Sequence, residues 1–165
     1  VTFAPRLWVV GEVVSAAIMN QEIRDQVNSI LDTWTTYTPT WTAATTNPSL
    51  GNGSITGRYM KVGRTVTVSI MLTIGSTTTL GTGAYLIGVP VPAAAAVVSS
   101  LGAARLSAAD TWLGHMFLAS GASAANVTFP ATATNTRGAN MSGTVPETLA
   151  AGHILRVSLT YQAAS

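Results

Sequence analysis

The sequence predicts a mostly β protein. An N-terminal arm and amphipathic helix over residues 1–34, acting as stem or anchor, precede an antiparallel, jelly-roll-like β-sandwich head over 35–165. Three observations carry this reading. Only one long stretch, Val13 to Trp34, has apolar residues at helical spacing. Beyond it, period-two runs recur about every ten residues with turn residues between them, the pattern of a sandwich or jelly roll. The charge changes sign at the same boundary. Up to Trp34, Arg6 and Arg24 face Glu12, Glu22, Asp25 and Asp32, net −2; beyond it, six cations face only Asp110 and Glu147, net +4.

Val1 to Val14 reads as an extended arm with a short strand at Leu7 to Val10. Trp8 serves there as a packing anchor or as a plug into a neighbouring protein. Ser15 stands where a hydroxyl can accept a bond from a free N–H of the first helical turn. Ala16, Met19, Ile23, Val27, Ile30 and Trp34 then line one face, and Asn20, Glu22, Arg24, Asp25, Asn28 and Asp32 the other. A lone helix of this length is marginal in water, so the apolar face needs a partner. The two candidates are its own sheet and a second copy of itself. Ile23 and Ile30 fall at heptad position a, and Met19 and Gln26 at d. Isoleucine at a without leucine at d favours three strands.

Tyr37 and Trp41 belong to a first strand, and Asn52-Gly53 marks a turn. Ile55, Gly57 and Tyr59 alternate with Thr56, Arg58 and Met60, and Val62-Gly63 makes a two-residue hairpin turn. The next strand is the clearest: Val66, Val68, Ile70, Leu72 and Ile74 face inward, and Thr65, Thr67, Ser69, Met71 and Thr73 outward. Further strands are expected at 84–92, 97–107, 111–119 and 127–129. The 111–119 strand is apolar on both faces. Trp112, Met116 and Leu118 lie on one side, and Leu113, His115 and Phe117 on the other, which calls for burial on both sides, by the core on one and by a subunit interface on the other. One weak strand lies within 132–148. In the last strand Leu155, Val157, Leu159 and Tyr161 face inward.

Charged residues make up 8% of the 165 and hydrophobic residues 47%, against roughly 25% charged in an average globular protein. Monomers keep more charge than this for solubility, so part of the surface is expected to lie between subunits. A net charge of +2 is too small for nucleic-acid binding by electrostatics. The chain has no cysteine, hence no disulfide or thiolate metal site. The start lacks a signal-peptide pattern, and Thr, Ser, Gly and Pro interrupt the uncharged stretch 65–104, which excludes a membrane span.

Catalytic chemistry finds little to stand on. His115 reads as a core or interface histidine and His153 as an exposed one. Asp110 and Glu147 are the one carboxylate pair in the head available to glycosidase chemistry. The GNG and GTG stretches precede no helix, so they are turns and not phosphate cradles. No cofactor or metal is expected. Arg58, Lys61 and Arg64 surround one hairpin and read as a small basic tip, either simply solvated or touching an acidic glycan or a partner's carboxylates.

GEVVSAAIMNQEIRDQVNSIL, then YTPTWTA, GRYMKVGRTVTVSIMLTIGS and a closing HILRVSLTYQA, resemble small minor tail and fibre proteins of tailed phages infecting actinobacteria. The similarity runs from Trp8 to Tyr161. Met19-Asn20 and Arg24-Asp25-Gln26 take the places of a family pattern whose last residue is more often Asn. The resemblance implies a homotrimer with a helical stem or anchor and a β-sandwich head, bound to other virion proteins, and no catalytic residues. The expectation is therefore a non-enzymatic virion protein, assembled in the host cytoplasm. Its favoured role is a tail fibre or tail-tip component touching the host surface, with a cell-surface glycan as candidate ligand. The alternative is a capsid head fibre or decoration protein; a glycan-binding or glycan-hydrolysing module is a third reading. Oligomerisation or anchoring falls to Trp8, Met19, Ile23, Val27, Ile30 and Trp34, and surface contact to Arg58, Lys61 and Arg64.

Overall fold

Tyr37 and Trp41 are four residues apart in the chain, yet their strands lie at opposite ends of one sheet. The computed structural model describes residues 7, 9–31, 33–95 and 98–164. Its strands are β1 (Thr35–Tyr37), β2 (Trp41–Ala43), β3 (Ser54–Val62), β4 (Thr65–Thr73), β5 (Tyr85–Gly88), β6 (Ser100–Ser107), β7 (Thr111–Leu118), β8 (Ala124–Pro130), β9 (Gly138–Asn140) and β10 (Ile154–Gln162). All pair antiparallel, in the order β1-β3-β4-β10-β6-β7-β8-β5-β2, with β9 beside β8. At about 4.8 Å between neighbours, a flat sheet would hold β1 and β2 roughly 38 Å apart. Four residue steps reach at most about 14 Å. The sheet therefore curls until its ends meet. The Tyr37 hydroxyl fastens them by donating to Gly88 O of β5 at 3.3 Å.

Curling gives the sheet an inner face that holds the core and an outer face that does not. Strict alternation assigns the residues. Val66, Val68, Ile70 and Leu72 of β4 are buried, as are Leu155, Val157, Leu159 and Tyr161 of β10. These two strands pair over nine residues in the middle of the sheet. Met116 and Leu118 of β7, Val127 and Phe129 of β8, and Tyr85 and Ile87 of β5 complete the same core. Three tyrosines are tied into it. Tyr161 donates to Val91 O at 2.6 Å and Tyr85 to Leu80 O at 2.8 Å. Burial pushes both of these hydroxyls up to about 12, and raises Tyr37 further.

Two turns sit one residue away from their predicted places. Val62 pairs with Thr65, so the hairpin loop is Gly63-Arg64 and not Val62-Gly63. Gly63 has φ +58°, as a type II′ turn requires of its first central residue. Likewise Gly51 and Asn52 are central to the turn that Gly53 closes by donating to Leu50 O at 2.8 Å. Asn52 instead clamps the 75–79 loop, its Oδ1 accepting from Thr77 N at 2.9 Å.

The helix is shorter than its apolar pattern and changes pitch. Ser15 caps it as expected, its Oγ accepting from Ile18 N at 3.3 Å. It runs as α1 (Ala16–Met19), a π turn (Asn20–Arg24) and α2 (Asp25–Leu31). The π turn is closed by the Asp25 N–H donating to Asn20 O. Trp34 lies beyond the helix rather than in its stripe, and its ring stacks on the Arg58 guanidinium of β3, 5.6 Å from the ring centre. Upstream, Glu12 N donates to Val9 O at 3.1 Å around a turn at Val10-Gly11. Among the described residues there is thus no strand at 7–10. Trp8, Asp32 and the side chain of Gln26, to which roles were assigned above, lie outside the described residues.

Candidate functional site

The helix keeps its apolar side open. Met19, Ile23, Val27 and Ile30 remain 44%, 49%, 48% and 55% exposed. No residue of α1 or the π turn is buried. Within one chain, then, the sheet leaves about half of this side uncovered.

The three cations of the expected basic tip do not come together. Arg64 is in the turn itself, and Lys61 pairs with Val66 close to it. Arg58 pairs with Ser69, farther down the hairpin, and its parity places it on the sheet's outer face whereas Lys61 has the inner parity. Alternation along β3 separates what proximity in sequence suggested.

Arg58 belongs instead to a cationic outer face. Two rows cross the strands in register. One runs Thr56, Met71, Arg156, Arg105, Leu113, and the other Arg58, Ser69, Ser158, Ala103, His115. A hollow of about 390 Å³ lies among Thr36, Thr56, Arg58, Ser69, Met71 and Arg156. A second of about 290 Å³ lies among Ser69, Ala103, Arg105, Leu113 and Arg156. They share Ser69 and Arg156, so they form one furrow. The outer side of β7, expected to lie against another subunit, is open in the single chain: Leu113 is 70% exposed and Phe117 40%. His115 is also exposed and is not a core histidine.

The head's two carboxylates sit elsewhere. Glu147 accepts from Trp112 Nε1 at 2.8 Å, Ala109 N at 2.9 Å and Asp110 N at 3.4 Å. The Trp112 bond above all, helped by the two backbone donors, holds its carboxyl below the ordinary range. Glu147 is a clamp on the β6–β7 turn, to which Asp110 offers its backbone. His153, expected to be exposed, is partly buried beside this knot. Its Nδ1 accepts from Ala150 N at 3.2 Å and stands 4.0 Å from Glu147 Oε1. Among the described residues no three His, Asp or Glu side chains are placed to hold a metal ion. No described helix is long and apolar enough to cross a membrane.

No protein-family model, curated protein or solved structure matches the chain. The functional reading rests on the residues themselves. Sequence reasoning missed the Arg105–Arg156 pair, because the two lie fifty-one positions apart and only the β6–β10 register joins them.

Proposed function

We propose that the chain is a non-enzymatic structural protein of a phage particle, a trimeric tail fibre or tail-tip component that touches the host surface. The observation that carries this is the open apolar side of the helix, in a chain whose core is otherwise closed. Three copies meeting along Met19, Ile23, Val27 and Ile30 would cover it, as isoleucine at the heptad a position favours. The curled sheet then serves as a jelly-roll-like head projecting from this stem. The exposed outer side of β7 supports further contact between subunits or with other virion proteins.

Mass photometry of the pure protein at micromolar concentration should give three chains' mass; a stable monomer overturns the trimer. About half of each isoleucine remains to be covered, worth roughly 1 kcal/mol per side chain. Ile23→Asp with Ile30→Asp should therefore remove about 6 kcal/mol per trimer, before charge repulsion is counted. This double variant should keep its β circular dichroism yet fail to enter particles. Wild-type occupancy of the variant would place the anchor elsewhere. Immunogold label on the capsid rather than the tail would make the chain a decoration protein.

A further inference from the structure

Arg105 and Arg156 lie directly opposite each other on β6 and β10. Like charges in that position repel, and sheets ordinarily avoid the arrangement. Both are exposed. No carboxylate of the head faces them: Glu147 is engaged at the β6–β7 turn, and Asp110 sits in that turn beyond the end of β6. The repulsion is thus uncompensated within the head. Residues that break a local rule of pairing without a local gain are expected at functional sites.

Around this pair the surface is shaped. The furrow runs from Arg58 on β3 to Leu113 on β7, four strand spacings or about 19 Å. Small side chains in register, Ser69, Ser158 and Ala103, give it depth between the cations. Trp34 holds the Arg58 guanidinium at one end, which preorganises that cation. The furrow is open at the surface and elongated, a shape for a passing chain more than for a single small molecule. Guanidinium groups recognise carboxylate and phosphate oxygens in bidentate fashion.

We propose that this furrow binds a linear, oxyanion-bearing polysaccharide. Its carboxylate or phosphate groups sit on Arg58, Arg156 and Arg105, and its sugar C–H faces lie against Met71 and Leu113. The inference rests on the host-contact reading above, and moves the contact from the hairpin tip to the outer face of the sheet.

The test is binding of the intact protein to immobilised polygalacturonate, to a phosphodiester-linked teichoic acid and to neutral dextran, by biolayer interferometry at fixed ionic strength. One or both anionic polymers should bind, and dextran should not; which one binds identifies the oxyanion. Arg105→Ser with Arg156→Ser should weaken binding at least tenfold while holding or raising the thermal midpoint, since it relieves the repulsion. Lys61→Ser with Arg64→Ser removes the same charge from the turn and should change binding less than twofold. Equal losses in the two variants, or no preference for either anionic polymer over dextran, overturn the proposal. So does a second result: if Arg105→Glu with Arg156→Glu lowers the sedimenting mass, the face is filled by the acidic helix of another copy. A monomeric protein that binds with the expected arginine dependence would sink the trimer and leave this proposal standing.

Discussion

Thr67 and Val68 are neighbours on β4, and an aspartate at each should have very different effects. Val68 is fully buried in the core, at 0% exposure. Replacing it forfeits about 1.5–3 kcal/mol of burial. The new carboxyl has no partner there, so it must be taken up protonated. Protonating an aspartate whose unfolded pKa is about 3.9 costs about 4 kcal/mol at pH 7, however far burial raises it beyond that pH. Together the loss is roughly 6–7 kcal/mol, comparable to the whole stability of an ordinary domain. Thr67 points outward, and its hydroxyl meets that of Thr160 at 3.1 Å. Losing that bond costs about 0.5–1.5 kcal/mol. Val68→Asp should therefore yield insoluble or unfolded protein, while Thr67→Asp should unfold in urea with a midpoint only slightly lowered. Soluble expression, circular dichroism and urea titration read the difference. Equal damage from both would mean that the outer face at Thr67 is as enclosed as the inner one, and would refute the assignment of faces on which the furrow depends.

Three further outcomes follow from the same geometry. Burial raises Tyr85 and Tyr161 from 10.0 to about 12. Their protonated forms thus stabilise the fold fully below pH 10, and that contribution fades as pH rises toward 12; Tyr161→Phe should blunt the alkaline loss seen in a pH series of thermal melts. Glu147, with its carboxyl held below 4.5, contributes above that pH and loses its contribution as pH falls through the depressed value. Glu147→Gln should cost about 1–2 kcal/mol near neutrality and much less near pH 3, read as converging urea midpoints. A Cβ on Gly114 would come within 2.2 Å of Thr128 O and 2.6 Å of the Phe129 ring. Gly114→Ala should therefore destabilise by about 1–3 kcal/mol and speed amide exchange along β7 and β8, and unchanged exchange would argue against their pairing.

The period-two strands were legible because their faces differ in chemistry: β4 and β10 alternate without a break, and their inward residues are the buried ones. The Ser15 cap was legible for a similar reason, since a hydroxyl before an apolar run has a specific local task. What local pattern does not encode is pairing between distant strands. Tyr37 and Trp41 read as one strand because they are close in sequence, yet the sheet's curl divides them between its two ends. Arg58, Lys61 and Arg64 read as one tip because they are close in sequence, yet strand parity sends Arg58 and Lys61 to opposite faces. The apolar outer side of β7 was legible as a face that the chain's own core does not fill, since Leu113 and Phe117 alternate with the inward Met116 and Leu118.

The junction of helix and sheet also has a mechanical side. A pull on α2 reaches the sheet through β1, which is held to β3 by three residue pairs, whereas β3 is held to β4 by nine. Under load β1 would peel first, releasing the Trp34 stack on Arg58 and the Tyr37 hydroxyl from Gly88. The longer β3–β4–β10 registers would stay intact. The chain thus places a weak link beside its helix, one whose release would leave the β3–β4–β10 pairing in place.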